Sequence, residues 1–267
     1  MPNPLLNDRT WNKAARDPGW AAPDPTTRAT PITDGPVSGW NSKVMTVGGT
    51  ISATGVLLVV LLAAAVVGWQ SGPDNQGEAA GFPALALVGV LVGFACVIAI
   101  YFRPMWARVL APIYAVGQGF FLGVISKAYE NYQNGIVLQA VGATLGVFAV
   151  MLVLYQTRII KVTDRFRTIV VTATMGLMVF YLISFVINLF GANVSFLQST
   201  SLLSIGFSIF AAGLAAMNLA LDFDFIERGA KQGLPKGMEW FAALALVVTV
   251  VWLYLELLRL LSKLQRR

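Results

Sequence analysis

Two carboxylic acids stand within stretches of sequence that are otherwise apolar. Asp222 follows a run of alanine and leucine, and Glu256 has a leucine on each side. Acids at membrane depth are costly, and they usually face the interior of a helical bundle or a wet cavity. Two carboxyl groups that lie close together in a low dielectric cannot both ionise cheaply, so they titrate as a unit. Their ionised oxygens attract hard cations such as calcium, so these residues indicate proton sensing and weak cation binding.

Most catalytic chemistry is excluded by residues that the sequence lacks. The chain has no histidine, which removes Ser-His and Cys-His nucleophiles, the zinc-binding HExxH helix and any imidazole relay. Its single cysteine, Cys96, lies among apolar residues and fits a packing role, and no nucleotide-binding glycine loop is found. We therefore predict that the protein is not an enzyme, holds no cofactor and has no dedicated metal site.

The elements that carry the two acids are predicted to be membrane helices. Hydrophobic residues make up 57% of the chain and charged residues 12%, with a mean hydropathy of +0.70. A helix that crosses the hydrocarbon core needs about 20 apolar residues. The prediction is an all-α integral membrane protein whose domain, residues 45–264, is a seven-transmembrane-helix bundle. Its helices are predicted over 45–69, 83–102, 109–127, 135–155, 168–190, 200–222 and 239–261.

The first 44 residues have neither a helical apolar face nor the alternation of a strand. They mix polar residues with prolines and are predicted to be a disordered cytoplasmic tail. The tail lacks the apolar segment of a cleaved signal peptide, so targeting is expected to depend on the first spanning helix.

Basic residues in the short loops predict the orientation. They are concentrated after predicted helices two, four and six, whereas the opposite loops at 70–82 and 191–199 contain none. This places the N-terminus in the cytoplasm and, with seven spans, the C-terminus outside. The basic end of the chain opposes this assignment, so a re-entrant seventh segment is the alternative. The basic residues of these loops account for much of the net charge of +6, so the charge does not indicate a nucleic acid as a partner.

Small residues at four-residue spacing predict close packing between helices. Gly89 and Gly93, Gly119 and Gly123, and Gly142 and Gly146 form three such pairs in predicted helices two, three and four. A tight monomeric bundle is expected from them.

Each acid also has a simpler explanation. Asp222 could end predicted helix six at the membrane interface, beside Arg228 or Lys231, although Asn218 one turn earlier indicates a polar face. Glu256 could pair with Arg259 at i, i+3, with both side chains turned outward. Thr249 and Trp252 share a helix face with Glu256, which favours an inward position. Depth along the two helices does not establish whether the acids touch.

Two further acids are predicted to be surface charges on a wet helix end. Asp224 is spaced to pair with Arg228, and Glu227 with Lys231, each at i, i+4.

Four segments resemble the transmembrane Bax inhibitor motif family, in its bacterial branch. They are residues 222–226 (Asp-Phe-Asp-Phe-Ile), 253–261 (Leu-Tyr-Leu-Glu-Leu-Leu-Arg-Leu-Leu), 45–47 (Met-Thr-Val) and 117–126 (Gly-Gln-Gly-Phe-Phe-Leu-Gly-Val-Ile-Ser). The similarity covers roughly residues 40 to 264. It implies a bundle with the seventh helix at its centre, in the bacterial cytoplasmic (inner) membrane.

The resemblance also implies a function and a set of residues. It implies a pH-sensitive calcium leak in which two acids of helices six and seven share a proton and, with an arginine, hold the pore closed. Asp222 and Glu256 match the acids by position, and Arg103 is the best match for the arginine. Two departures are Glu256 in place of the usual aspartate and Gln118 where many members have glutamate.

The leading hypothesis is therefore a pH-sensitive calcium (cation) leak channel, with calcium as the transported ion and no cofactor. Asp222, Glu256 and Arg103 are its predicted gate, and Asn218, Gln118 and Thr249 are candidate pore-lining residues. The alternative is a non-conducting regulator that binds another membrane protein, such as a membrane protease. A solute or proton-coupled transporter is disfavoured because no inverted repeat stands out.

Overall fold

The structure, a computed structural model, describes residues 44–72, 84–190 and 199–266. The predicted tail, apart from Val44, lies outside the described residues, as does most of the two loops at 70–82 and 191–199. Within the described part the regular structure is helical, apart from one isolated bridge between Val44 and Pro235. The helices are α1 (Val47–Ser71), α2 (Ala84–Phe102), a 3-10 turn (Pro104–Trp106), α3 (Ala107–Tyr132), α4 (Ile136–Gln156), α5 (Asp164–Leu189), α6 (Leu202–Lys231) and α7 (Met238–Gln265).

The all-helical membrane fold is confirmed, and the protein crosses the membrane more than once. Six of the described helices, all except α2, are long and apolar enough to span a bilayer. The apolar stretch described in α2, Val88–Phe102, is shorter than these six. The seventh crossing therefore stays a prediction.

Helix α6 is longer than its apolar stretch. Its predicted membrane span is 200–222, whereas the helix continues to Lys231, so Asp222 lies nine residues, about 14 Å, before the helix end. Asp222 is also among the most deeply buried polar residues of the bundle. The explanation that Asp222 merely ends the helix at the interface is therefore wrong. The turns after Asp222 carry Asp224 and Glu227, which pair with residues of neighbouring elements.

Helix α7 lies in the middle of the bundle. It packs against α1, α3, α4 and α6, and bulky side chains such as Phe241, Leu244 and Leu253 are almost completely buried along it. A polar residue on α7 therefore has protein on most sides and must find its partner within the bundle.

Glycines allow α1, α2 and α3 to approach closely. A side chain at Gly119 or Gly123 would collide with the backbone of α1, and one at Gly89 with the backbone of α3 at Gly117. These contacts agree with the predicted packing. Gly142 and Gly146 do not, because a side chain there would meet nothing within 4 Å. This α4 pair therefore faces away from the other described helices.

The start of α1 is fastened to the turn between α6 and α7. Met45 donates its backbone N–H to the carbonyl of Leu234 at 2.6 Å. Glu239, buried at the start of α7, accepts hydrogen bonds from the backbone N–H and the hydroxyl of Thr46, both at 3.0 Å. A side chain at Gly49 would displace the Glu239 carboxylate from its present position. The segment that leads out of the N-terminal tail is therefore bonded to the first turn of α7.

Candidate functional site

A line of polar residues follows one face of α7. Thr249, Glu256 and Lys263 are spaced by seven residues, which keeps them on one face and about 10 Å apart along the axis. All three are buried. Helix α6 runs in the opposite direction beside α7, with Asp222 near Thr249 and Ser208 bonded to Lys263. We call these facing residues the α6–α7 seam, and its three levels are named after Asp222, Glu256 and Lys263.

At the Asp222 level no cation of the described residues is in contact with the acid. Asp222 is 2% exposed, and its Oδ2 atom has no hydrogen-bond partner among the described residues. The Thr249 hydroxyl lies within hydrogen-bonding reach of the carboxylate but also points to the carbonyl of Ala245 at 3.2 Å. Its single proton can serve only one of these acceptors at a time. An unpaired charge at this depth is expensive, so the proton of Asp222 decides the electrostatics of this level.

Asn218 continues the polar face one turn along α6. Its amide donates to the hydroxyl of Thr174 on α5 at 2.9 Å and to the carbonyl of Leu214 at 2.8 Å. Asn218 therefore lies inside the bundle as predicted, and its side chain joins α6 to α5.

At the Glu256 level both carboxylate oxygens of the acid have partners. Its Oε1 atom accepts a hydrogen bond from the hydroxyl of Tyr181 on α5 at 2.8 Å and one from the indole of Trp252 at 3.3 Å. Arg259 approaches Oε2 at 3.1 Å in an ion pair and also donates to the Tyr181 hydroxyl at 3.0 Å. The guanidinium lies over the Tyr181 ring, 5.3 Å from its centre. The predicted i, i+3 pair between Glu256 and Arg259 is therefore present. The Glu256 side chain, however, faces the interior of the bundle and not its outside.

Asp222 and Glu256 do not share a hydrogen bond in this structure. Within the described residues, the groups bonded to Glu256 come from α5 and from α7 itself. The two acids lie at different heights along the bundle. Asp222 is level with Thr249, and Thr249 is seven residues, or about 10 Å along the helix axis, from Glu256. Midway between Asp222 and Ser208, α6 presents the fully buried Ala215, which offers no polar side chain. Tyr181 of α5 supplies the partner instead.

Two other predicted residues lie apart from the seam. Arg103 is exposed between α2 and the 3-10 turn, with its guanidinium 5.8 Å from the centre of the Trp106 ring. No ion pair in the described part of the chain joins it to Asp222 or Glu256. Gln118 is half-buried between α2 and α3, where its Oε1 atom faces Gly93. The arginine that the structure places beside a seam acid is Arg259.

The Lys263 level was not expected from the sequence, where this residue counted only as part of a basic end. Its ammonium donates to the hydroxyls of Ser204 and Ser208, both at 2.8 Å, and to the carbonyl of Ser204 at 3.3 Å. Two signals could have revealed it: its seven-residue spacing from Glu256, and the two serines one turn apart at the start of α6.

Asp224 and Glu227 are more than isolated surface charges. Asp224 pairs with Arg228 as predicted and also with Arg167 of α5 at 3.0 Å. Glu227 pairs with Lys231 as predicted, at 2.6 Å. Glu227 also accepts from the hydroxyl of Tyr155 on α4 and from Arg158 in the loop after α4, the latter at 2.6 Å. These acids therefore tie the ends of α4, α5 and α6 together.

The described residues contain no group of three or more acids, cysteines or histidines that could hold a metal ion. Along the seam lie three buried charged residues: Asp222 of α6, which has no ion pair among the described residues, then Glu256 of α7, which is paired with Arg259, and then Lys263 of α7. Such an arrangement can bind and release protons and can attract or repel a passing ion, but it lacks the ligands for tight metal binding.

The comparison with protein families agrees with the fold. A family model described as Bax inhibitor 1 like matches residues 3–266, nearly the whole chain. The match begins well before residue 40, where the recognisable motifs start. No curated protein matches the sequence. The helical membrane bundle and a match over almost its full length show that the chain belongs to the Bax inhibitor 1 like family.

Proposed function

We propose that this protein is a pH-sensitive cation leak that carries calcium along the α6–α7 seam, with Asp222 as its proton-sensing gate. The observation that carries the proposal is the Oδ2 atom of Asp222, which is buried without a partner in the described part of the chain. An acid kept in that condition is a functional-site hypothesis by default, because a structural role would have been served better by a neutral residue.

The gate follows from the cost of an unpaired charge. While Asp222 holds a proton, its level is neutral and fits among the buried side chains of α6 and α7. Loss of the proton leaves an anion without a counter-charge, and water or a cation entering the seam would relieve the cost. Oxygen atoms from Asp222 and Thr249 suit calcium but are too few to retain it. The leak is therefore expected to grow as pH rises.

Glu256 is proposed to brace the seam rather than to share the proton of Asp222. Its carboxylate is already neutralised by Arg259 and receives hydrogen bonds from Tyr181 and Trp252. Sharing a proton with Asp222, which lies level with Thr249 and about 10 Å along the axis from Glu256, would require α6 and α7 to shift along each other. The brace holds α5 against α7, and opening of the seam would have to loosen it.

The proposed setting is the bacterial inner membrane, with the N-terminus in the cytoplasm and the C-terminus outside. The distribution of basic loops supports this orientation. It places the Asp222 level toward the cytoplasm and the Lys263 level toward the outside. The proposed activity is ion conduction, so it needs no catalytic residue and no cofactor.

The test is calcium flux into liposomes that contain only this protein, measured between about pH 6 and 8. Wild type is compared with Asp222→Asn, which keeps the shape of the side chain but cannot lose a proton. Asp224→Asn is the matched control, because it makes the same change two residues away on an acid that is paired. We expect flux to rise with pH in wild type and Asp224→Asn and to be independent of pH in Asp222→Asn. Absence of flux, or an unchanged pH profile in Asp222→Asn, would refute the proposal.

A second candidate, a non-conducting regulator of another membrane protein, is favoured by the anchored start of α1. Thr46 and Glu239 connect the segment after the tail to the first turn of α7. A partner that binds residues 1–43 would therefore act on the central helix. Copurification of a stoichiometric membrane protein that is lost on removal of residues 1–43, together with no calcium flux, would favour this function.

A further inference from the structure

Lys263 is buried at the end of the seam that lies farthest from the α6–α7 turn. It is 4% exposed, although it stands in the last turn of α7. Its three N–H groups all have acceptors, in Ser204 and Ser208 of the first two turns of α6. The ammonium is therefore held in a defined position between the two helices.

The charge of Lys263 is not compensated at this level. Within the described residues no carboxylate lies within ion-pair distance of it, and the charged groups that face it are Arg259 and Glu256. Glu256 is already paired with Arg259, so the neighbouring level contributes no spare negative charge. The serine oxygens are neutral acceptors. A cation that moved along the seam would meet an unneutralised positive charge here, about 10 Å beyond Glu256.

The side chain of Lys263 can also turn from the seam toward water at the end of α7. Its flexible four-carbon stem starts in the last turn of α7, next to the exposed Leu264 and Gln265. A lysine near a helix end can keep its stem on apolar surface while its ammonium reaches water. Leaving the serines exchanges three hydrogen bonds for hydration, and the two positions can therefore be close in free energy.

We propose that Lys263 is a second closing element of the leak, a plug that repels cations while Ser204 and Ser208 hold its ammonium in the seam. This inference rests on the proposed cation leak and assigns it a residue that sets its conductance and charge preference. In this proposal the protonation of Asp222 controls one end of the seam, and the positive charge of Lys263 sets the electrostatic barrier to cations at the other end.

The test measures calcium flux in liposomes at fixed pH for Lys263→Gln, Lys263→Arg and Ser208→Ala. Loss of the charge in Lys263→Gln is expected to raise flux roughly tenfold, because one repelling unit charge is removed from the path of a divalent ion. Lys263→Arg keeps the charge and is expected to stay near wild type. Ser208→Ala removes one holding bond and is expected to raise flux by about twofold to threefold.

Arg266→Gln is the matched control, since it removes a positive charge from the same helix end. Arg266 is exposed, with its guanidinium 5.4 Å from the centre of the Tyr132 ring, so flux should not change. Thermal unfolding in detergent verifies that each variant is folded, and Ser208→Ala carries the test if Lys263→Gln is not.

The outcomes separate this inference from the function on which it rests. If Lys263→Gln or Ser208→Ala leaves flux unchanged while Asp222→Asn still abolishes the pH response, the plug is refuted and the leak stands. Equal increases in Lys263→Gln and in Arg266→Gln or Lys263→Arg also refute the plug. If no variant conducts at any pH, both the plug and the leak are refuted.

Discussion

Asp222 and Glu256 are both 2% exposed, but the surroundings of the two acids differ. Glu256 pairs with the guanidinium of Arg259 and accepts hydrogen bonds from Tyr181 and Trp252, and these contacts must break before its side chain can move. Asp222 faces Thr249, whose hydroxyl also points to the carbonyl of Ala245, and the Oδ2 atom of Asp222 has no partner in the described part of the chain. Burial alone therefore does not mark a gate. Among the described residues Asp222 has no ion pair to break, so a change in its protonation alters the charge of its level directly.

The largest effect expected from this comparison is that of Arg259→Gln. It leaves the buried Glu256 carboxylate without its cation, and we expect the free energy of unfolding to fall by about 2 to 3 kcal/mol. This is no higher than the lower end for a buried pair, because the arginine side chain is itself 34% exposed. Chemical unfolding in detergent measures it. Asp222→Asn is the counterpart at the unpaired acid and should change stability by less than about 1 kcal/mol. Equal losses in the two variants would contradict the comparison.

A smaller effect is expected for Tyr181→Phe. The change removes the hydroxyl that bonds both Glu256 and Arg259 but keeps the ring under the guanidinium. We expect a loss of about 1.5 kcal/mol in the free energy of unfolding, typical of a hydrogen bond to a charged group. Tyr101→Phe, on α2 and away from the seam, is the control and should be nearly neutral. A neutral Tyr181→Phe would mean that α5 does not brace Glu256.

The smallest effect is expected for Arg167→Gln, which removes one partner of Asp224. This pair is partly exposed, and Asp224 keeps Arg228 as a second partner. We expect a loss of about 0.5 kcal/mol in the free energy of unfolding, which shrinks further at high salt. Flux and its pH profile should not change. A pH profile altered as strongly as in Asp222→Asn would show that the charged end of α6, rather than the seam, senses protons.

Local interactions of the site were predictable from the sequence, and distant ones were not. The pairs Asp224–Arg228, Glu227–Lys231 and Glu256–Arg259 follow from spacing on a single helix, and the structure contains all three. The partners of Glu256 and Asp224 on α5, and of Lys263 on α6, lie more than fifty residues away. Their contact depends on how the helices are rotated and aligned along their axes, which apolar sequences barely specify.

The extent of helix α6 shows a second limit. Its predicted membrane span stops at residue 222, although Phe223, Phe225 and Ile226 continue the apolar pattern and Gly229 is a natural helix end. The helix continues to Lys231, and its charged last turns are paired with Tyr155, Arg158 and Arg167 of neighbouring elements. Asp222 lies within this longer helix and is buried, and the spacing of residues along one helix does not specify that burial.

By itself, the sequence determined that the chain forms membrane helices and that a few acids stand in apolar surroundings. These properties follow from hydropathy and from the spacing of residues along one helix. Only the tertiary structure decided that Glu256 finds Arg259 and Tyr181, that Asp222 finds no cation among the described residues, and that Lys263 enters the seam. The physical reason is that a buried polar group is defined by its partners, and packing between helices selects those partners.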